Sequence, residues 1–231
     1  MLQEVCSRFS LSRQGKRGNF GRRYVEAFHQ DVSNHAISMK EVKTMPILDG
    51  SEQERQGLLQ TANLMAVSAR TAPKSGGRDD ILTAVVYGEE IEKIALDMEK
   101  IANERNQEAW SQQAQNIRNA EVILLVGVKG TKSYITNCGA CGFDSCEAFT
   151  KAEKKLRQDF DGPNCIFKTL DLGIAVGSAV KTASLLNADN RIFYRIGATA
   201  KRLRLMPEAS LIMGIPLSAK GKNPYFDRVF R

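Results

Sequence analysis

Apolar positions fall into helical spacing from residue 58 onward, where Leu58, Leu59, Ala62, Met65, Ala66 and Ala69 stand three and four apart. Ser51-Glu-Gln-Glu54 has the form of a capping box before them, and Pro73 with the Gly76-Gly77 pair ends the helix. Ile81 to Tyr87 is β-branched and apolar, as a buried strand requires. The next helix carries Ile91, Ile94, Ala95, Met98, Ile101 and Ala102 on one face, and a further helical stretch from Trp110 to Ile117 leads into a strand at Val122 to Val128. Later in the chain, Asp171 to Leu186 reads as a helix rich in small residues, Ile192 to Ile196 as a strand, Thr199 to Leu205 as a short helix and Leu211 to Ile215 as a strand. Alternating elements of this kind predict one α/β or α+β sandwich, a central sheet packed by helices, with a metal-binding insertion near 131 to 167.

Composition changes this picture mainly at the N-terminus. Residues 1–44 are polar, Arg-rich and weakly periodic, and hold both histidines, His29 and His35. They read as a disordered tail or as an extension from a start assigned too early, with Met39 or Met45 the true start, ahead of a single domain at 45–231. Eight basic and four acidic residues precede Met45, so this stretch carries four of the seven net positive charges. No dense basic stripe remains to bind nucleic acid. The longest apolar run, Val122 to Val126, falls far short of the roughly 20 residues needed to cross a bilayer. With no signal-peptide pattern either, a cytoplasmic protein is expected.

In that compartment five cysteines argue for metal rather than disulfides. Three fall in Cys138-Gly-Ala-Cys141-Gly-Phe-Asp-Ser-Cys146 and a fourth in Gly162-Pro-Asn-Cys165, past an intervening stretch read as helical. Four thiolates are the ligand count of a 4Fe-4S cubane, and Gly139 and Gly142 let the loop wrap around a bulky group. Asp144 is expected to cap a helix that places Cys146 in its first turn, where the helix dipole favours a thiolate. Zinc is the rival, but structural zinc sites usually bring two close cysteine pairs and here there is one. Cys6 lies in the tail, outside this set.

The runs NCGACGFDSC and GPNC resemble the small 4Fe-4S module of the B subunit of Rnf electron-transport complexes and of corrinoid iron-sulfur proteins. Together with LLQTANLMAVSARTAPKSGGRDDI, VILLVGVKG, LDLGIAVGSAVKTASLLNADNRIFYRIG and IMGIPLSAKGKNPYFDR, they make the chain similar to a prokaryotic family of ferredoxin-domain-containing proteins. That resemblance carries the four ligand roles onto Cys138, Cys141, Cys146 and Cys165. Ala72-Pro73-Lys74-Ser75 before a strand also resembles flavin-dependent nitroreductases, which implies a central sheet packed by helices and FMN at a homodimer interface. The chain shows no convincing counterpart of the Arg-Arg-Ser-x-Arg type segment with which nitroreductases hold the flavin phosphate.

Arg70, Lys74, Lys220 and Lys222 lie beside turns where cationic side chains could hold an FMN phosphate, although ordinary solvated charge is the simpler reading. Gly173, Gly177, Ala175, Ser178 and Ala179 give one helix a flat side suited to a partner helix or a flavin ring. Lys151, Lys154, Lys155 and Arg157, expected on a helix, could steer an acidic redox partner or merely face water. Without histidine outside the tail, a Ser-His-Asp or Cys-His apparatus is excluded. The sequence therefore points to an iron-sulfur electron-transfer protein, with a flavin-linked oxidoreductase as its extension and a non-catalytic iron-sulfur sensor or interaction module as the alternative. A chain beginning at Met45 should keep its melting behaviour and its iron content; loss of folding on that truncation would make the first 44 residues structural.

Overall fold

The computed structural model describes residues 48–226, so the expectations for the first 44 residues lie outside the described part. Its principal elements are α1 (Gly50–Thr71), β1 (Ile81–Tyr87), α2 (Glu89–Arg105), α3 (Glu108–Ile117), β2 (Val122–Val128), α4 (Cys146–Lys151), β3 (Lys155–Leu156), β4 (Asp161–Gly162), α5 (Ile166–Leu185), β5 (Asp189–Asn190), α6 (Tyr194–Arg202) and β6 (Leu211–Ser218). All seven residues of β2 are buried, so both faces of this strand must be covered. The sheet that forms around it runs β1-β2-β6-β5, with every pairing antiparallel. On one face Ile123, Leu125 and Ile212 meet α2, α3 and α6; on the other Val122, Leu124, Val126, Ile215 and Leu217 meet α1 and α5. The expected sheet packed by helices is this three-layer sandwich, and it is of the α+β kind because its strands are antiparallel.

Helix α1 begins two residues earlier than the capping box suggests. Asp49 is its N-cap, its carboxylate accepting from the Glu52 N–H at 3.0 Å, while Ser51 donates to that same carboxylate at 2.5 Å. Its C-terminus falls at Thr71, just before Pro73, as the sequence predicts. Helix α5 starts at Ile166, five residues before the expected Asp171, because Cys165 is its N-cap residue.

The segment from Ile192 to Ile196 is not a strand. Phe193 makes a single antiparallel bridge to Gly214, and the chain then coils into α6 from Tyr194. What wins over the β-branched composition is a close approach of helix to sheet. A Cβ on Gly197 would overlap the Ile212 carbonyl, and one on Gly214 would overlap the Ile196 side chain. Two glycines thus let α6 lie directly on β6, with Ile196, Ala198, Thr199 and Ala200 buried in the contact.

Strand β6 runs three residues past the expected end, through Pro216 to Ser218. The paired exchange of bonds between Phe193 and Gly214 shows that even-numbered residues of β6 turn their backbone toward β5. Pro216 therefore faces the gap between Asn190 and Phe193, where its missing N–H costs no ladder bond.

Replacing Gly197 by Ala should lower stability by about 3 kcal/mol, since backbone rather than a pliable side chain occupies the space. Urea unfolding of the variant should show the loss as a reduced midpoint with little change in slope; an unchanged midpoint would mean that α6 can lift from β6 at no cost.

Candidate metal centre

The end of β2 and the start of β6 define where the cysteine loop leaves the sheet. Gly130 donates its N–H to the Ser210 hydroxyl at 2.8 Å, and that hydroxyl lies 2.7 Å from Asn164 Oδ1 and 3.1 Å from the Val128 carbonyl. A hydroxyl has one proton, so the shorter contact takes it and Asn164 is held beside the sheet. Asn164 also donates to the Asp161 carbonyl at 2.6 Å. Space at Gly130 decides the approach: a Cβ there would overlap Asn164 Oδ1 and stand 2.8 Å from Ser210 Oγ. The neighbouring Cys165 N–H donates to the Gly130 carbonyl at 2.8 Å, so Cys165, itself buried, is tied to the base of the loop that carries the other three cysteines.

Within that loop residues 137 and 146 clasp each other. Cys146 N–H donates to Asn137 Oδ1 at 2.8 Å, and Asn137 N–H donates to Cys146 Sγ at 3.2 Å. Ile135, Asn137, Gly139 and Gly142 all adopt positive φ. The Ser133 hydroxyl, followed by the N–H of Asn137 and, more weakly, those of Thr136 and Ile135, holds the Cys146 thiol below its ordinary range against the effect of burial. Helix α4 opens with Cys146 in its first turn as expected, but its N-cap is Ser145, accepting from Ala148 N–H at 3.1 Å, rather than Asp144.

Phe149 is the buried anchor of α4 and meets Phe143 of the loop edge-on at 5.7 Å. Lys154 stands 4.0 Å above the Phe149 ring and donates to the carbonyls of Phe149 and Ala152, closing the C-terminus of the helix. Burial pushes its ammonium down, and the proximity of Cys141 opposes that. Of the basic run expected on a helix, only Lys151 lies in α4; Lys155 is in β3 and Arg157 follows it. The stretch before Cys165 is a β3–β4 hairpin, because Lys155 pairs with Gly162 and Leu156 with Asp161.

A second tie runs to the turn after α1. Tyr134 packs on Phe167 at 4.9 Å and lies beneath the Arg78 guanidinium at 5.5 Å. Below it Lys168, 1% exposed, pairs with Asp80 at 2.9 Å and donates to the Arg78 carbonyl at 3.2 Å. Burial raises the Asp80 carboxyl, but the Lys168 and Lys132 ammonium groups outweigh it and hold the group below the usual carboxylate range. Asp171 accepts from both N–H and hydroxyl of Ser75 at 2.8 Å. Sequence patterning missed Ser133, Asn137, Asn164, Lys168 and Ser210; the one signal was the asparagine that immediately precedes both Cys138 and Cys165.

The two halves of the phosphate set do not meet within one chain. Arg70 pairs with Asp79 at 2.8 Å and donates to the Ile81 carbonyl at 2.7 Å, while Lys74 caps α1 by donating to the carbonyls of Ala69, Arg70 and Ala72. Lys220 lies 3.8 Å from Glu121, next to Val122, which pairs with Tyr87. The length of β1 thus separates the pairs by roughly 20 Å. Gly173 and Gly177 face outward, whereas Ala175 and Ala179 of the same helix pack into the core beside α1.

Among the described residues no three Cys, His, Asp or Glu side chains converge on a single ion, and all four cysteines are free thiols. Residues 161–228 match the family described as uncharacterized protein containing a ferredoxin domain (DUF2148), a stretch that includes Cys165. An uncharacterized protein of Archaeoglobus fulgidus is 49% identical over 182 residues, covering 79% of this chain and 97% of the relative. The chain belongs to this ferredoxin-domain family. Among solved structures, the nitroreductase CinD from Lactococcus lactis, in complex with nicotinic acid, is 11% identical with a TM-score of 0.49, over 80% of this chain and 86% of that one. A nitroreductase with bound FMN from Desulfitobacterium hafniense is 13% identical with a TM-score of 0.47, over 71% and 78%. No described helix is long and apolar enough to cross a membrane.

In cluster-free protein the alkylation rate of Cys146, followed by peptide mapping, should titrate at lower pH than an ordinary thiol. Ser133→Ala should move that midpoint upward, because it removes the largest contribution to thiolate stability. Since the folded value is the depressed one, the stability this thiol contributes is present above the ordinary thiol range and is lost as pH falls through the depressed value. A midpoint that stays put in the variant would deny the hydroxyl this role.

Proposed function

We propose that Cys138, Cys141, Cys146 and Cys165 hold one 4Fe-4S cluster, and that the protein passes single electrons to and from a redox partner. The observation that carries this is the shared backbone frame of four free thiols: the Asn137–Cys146 clasp closes the loop, and the Cys165–Gly130 bond fixes the fourth thiol to its base. The donor set suits the group, since four thiolates standing around a cubane need not meet at one point as they must around zinc. When bound, such a cluster supplies one-electron chemistry.

The chain's own residues act on the charge of that site. The Ser133 hydroxyl and the N–H groups of Asn137, Thr136 and Ile135 favour the anionic form of Cys146, and Lys154 sets a half-buried ammonium near Cys141. Buried Cys165 sits on the inner side, while Cys138 is exposed and marks the side from which a partner can approach. Lys151 and Lys155 on that rim are matched by Glu147 and Glu153, so steering by net positive charge is weaker than the basic run alone suggests. A flavin-linked step would require Lys220 and Lys222 from a second copy, given their distance from Arg70 and Lys74.

Anaerobic reconstitution should bring iron and acid-labile sulfide each to roughly four per chain. Cys165→Ser should reduce both sharply while leaving the far-ultraviolet circular dichroism unchanged. Stoichiometric zinc with no sulfide would overturn the cluster.

A further inference from the structure

Among the described residues strand β1 is the long unpaired edge of the sheet, and its hydrogen-bond phase can be read from the ladder. The Lys129 N–H donates to the Asp80 carbonyl, which makes Asp80 and Lys129 a bonded pair; Leu82, Ala84 and Val86 therefore face β2, and Ile81, Thr83, Val85 and Tyr87 face outward. Ile81 confirms the phase: its N–H is taken by Asp79 at 3.1 Å and its carbonyl by Arg70 at 2.7 Å. The outward N–H and C=O groups of Thr83, Val85 and Tyr87 have no partner among the described residues. Beside them runs a mainly apolar groove of about 450 Å³ lined by Ala84, Val85, Val86, Tyr87, Leu125 and Leu205, with Glu90 at its side. An edge of this length without charge, proline or bulge is open to strand addition.

We propose that this edge pairs with the β1 of a second copy, antiparallel, about a two-fold axis at Val85. The phase favours a copy of the same chain because the three open residues are self-complementary: Val85 meets Val85, and Thr83 of each copy meets Tyr87 of the other, all as bonded pairs. On one face this sets β-branched and aromatic residues across from each other; on the other it brings Ala84 beside Val86 of the second copy, joining the two apolar grooves. At both ends Glu89, the first residue of α2, comes level with Ile81 of the second copy, where the half-exposed Arg70 guanidinium, paired within its own chain with Asp79 at 2.8 Å, can accept a second carboxylate.

Sedimentation of the full chain on the order of 1 to 100 µM should show a monomer–dimer equilibrium. Hydrogen exchange should show the amides of Thr83, Val85 and Tyr87 protected in proportion to the dimer, with those of Leu82, Ala84 and Val86 protected at every concentration. The double variant Thr83→Lys/Tyr87→Lys, which opposes like charges twice across the axis, should weaken the dimer at least roughly tenfold. Thr83→Lys/Tyr87→Glu should restore it, and this rescue keeps the register testable even if the first variant folds poorly. A chain that stays monomeric, a dimer indifferent to both variants, or edge amides protected at every dilution because the chain's own residues cover them would each overturn the proposal.

Discussion

A strand buried along its whole length on both faces is the constraint from which the rest of this protein follows. Val122–Val128 offers water no side, so it demands a helical layer above and another below, and an antiparallel neighbour on either edge for its backbone groups. Those demands place α1 and α5 on one face and α2, α3 and α6 on the other. After Val128 the chain keeps one further bond to the β1 side, Lys129 N–H to the Asp80 carbonyl, and the cysteine loop begins just beyond it. The loop is therefore anchored to the fully buried strand.

Rigidity is passed from sheet to loop through backbone and small polar side chains. Ser210 stands at the start of β6 and touches Gly130, Val128 and Asn164, so one hydroxyl spans three segments. Because the proton can satisfy only one acceptor, the arrangement depends on Gly130 leaving room for Asn164 to come close. Buried Lys168 does the same work on the other flank, joining α5 to the Asp80 end of β1 and standing below Tyr134 of the loop. The loop's positive-φ residues can then remain fixed without a regular ladder of their own, since both of its ends are pinned.

What the sequence made legible were features carried by local pattern. All three long strands, β1, β2 and β6, begin where their apolar runs begin, the face of α2 was readable from its apolar spacing, and Cys146 in the first turn of α4 followed from the polar residues before it. What it concealed depended on neighbours distant in the chain. Ile192–Ile196 has strand composition, yet Gly197 and Gly214 permit a helix to sit on β6 there, a fact visible only when both glycines are seen together. Pro216 looks like a strand end until the gap beside β5 shows that its N–H would have had no partner. The supporting residues of the candidate metal site were hidden for the same reason, since a serine 80 residues from Gly130 carries no local mark.

The edge pairing of β1 also bears on the lysines that one chain keeps apart. Within a chain Arg70 and Lys74 lie by Ile81, whereas Lys220 lies by Glu121 at the Tyr87 end of the same strands. Turning a second copy about Val85 reverses the order of its strands, so the Tyr87 end of one copy stands beside the Ile81 end of the other. Lys220 and Lys222 of the second copy then belong to the same end of the joined sheet as Arg70 and Lys74 of the first. An anion bound at that end would draw cationic groups from both copies, and its binding would be linked to dimerisation by mass action. Within one chain the length of β1 stands between the two pairs, so a phosphate site of this composition would depend on the proposed pairing of the β1 edge.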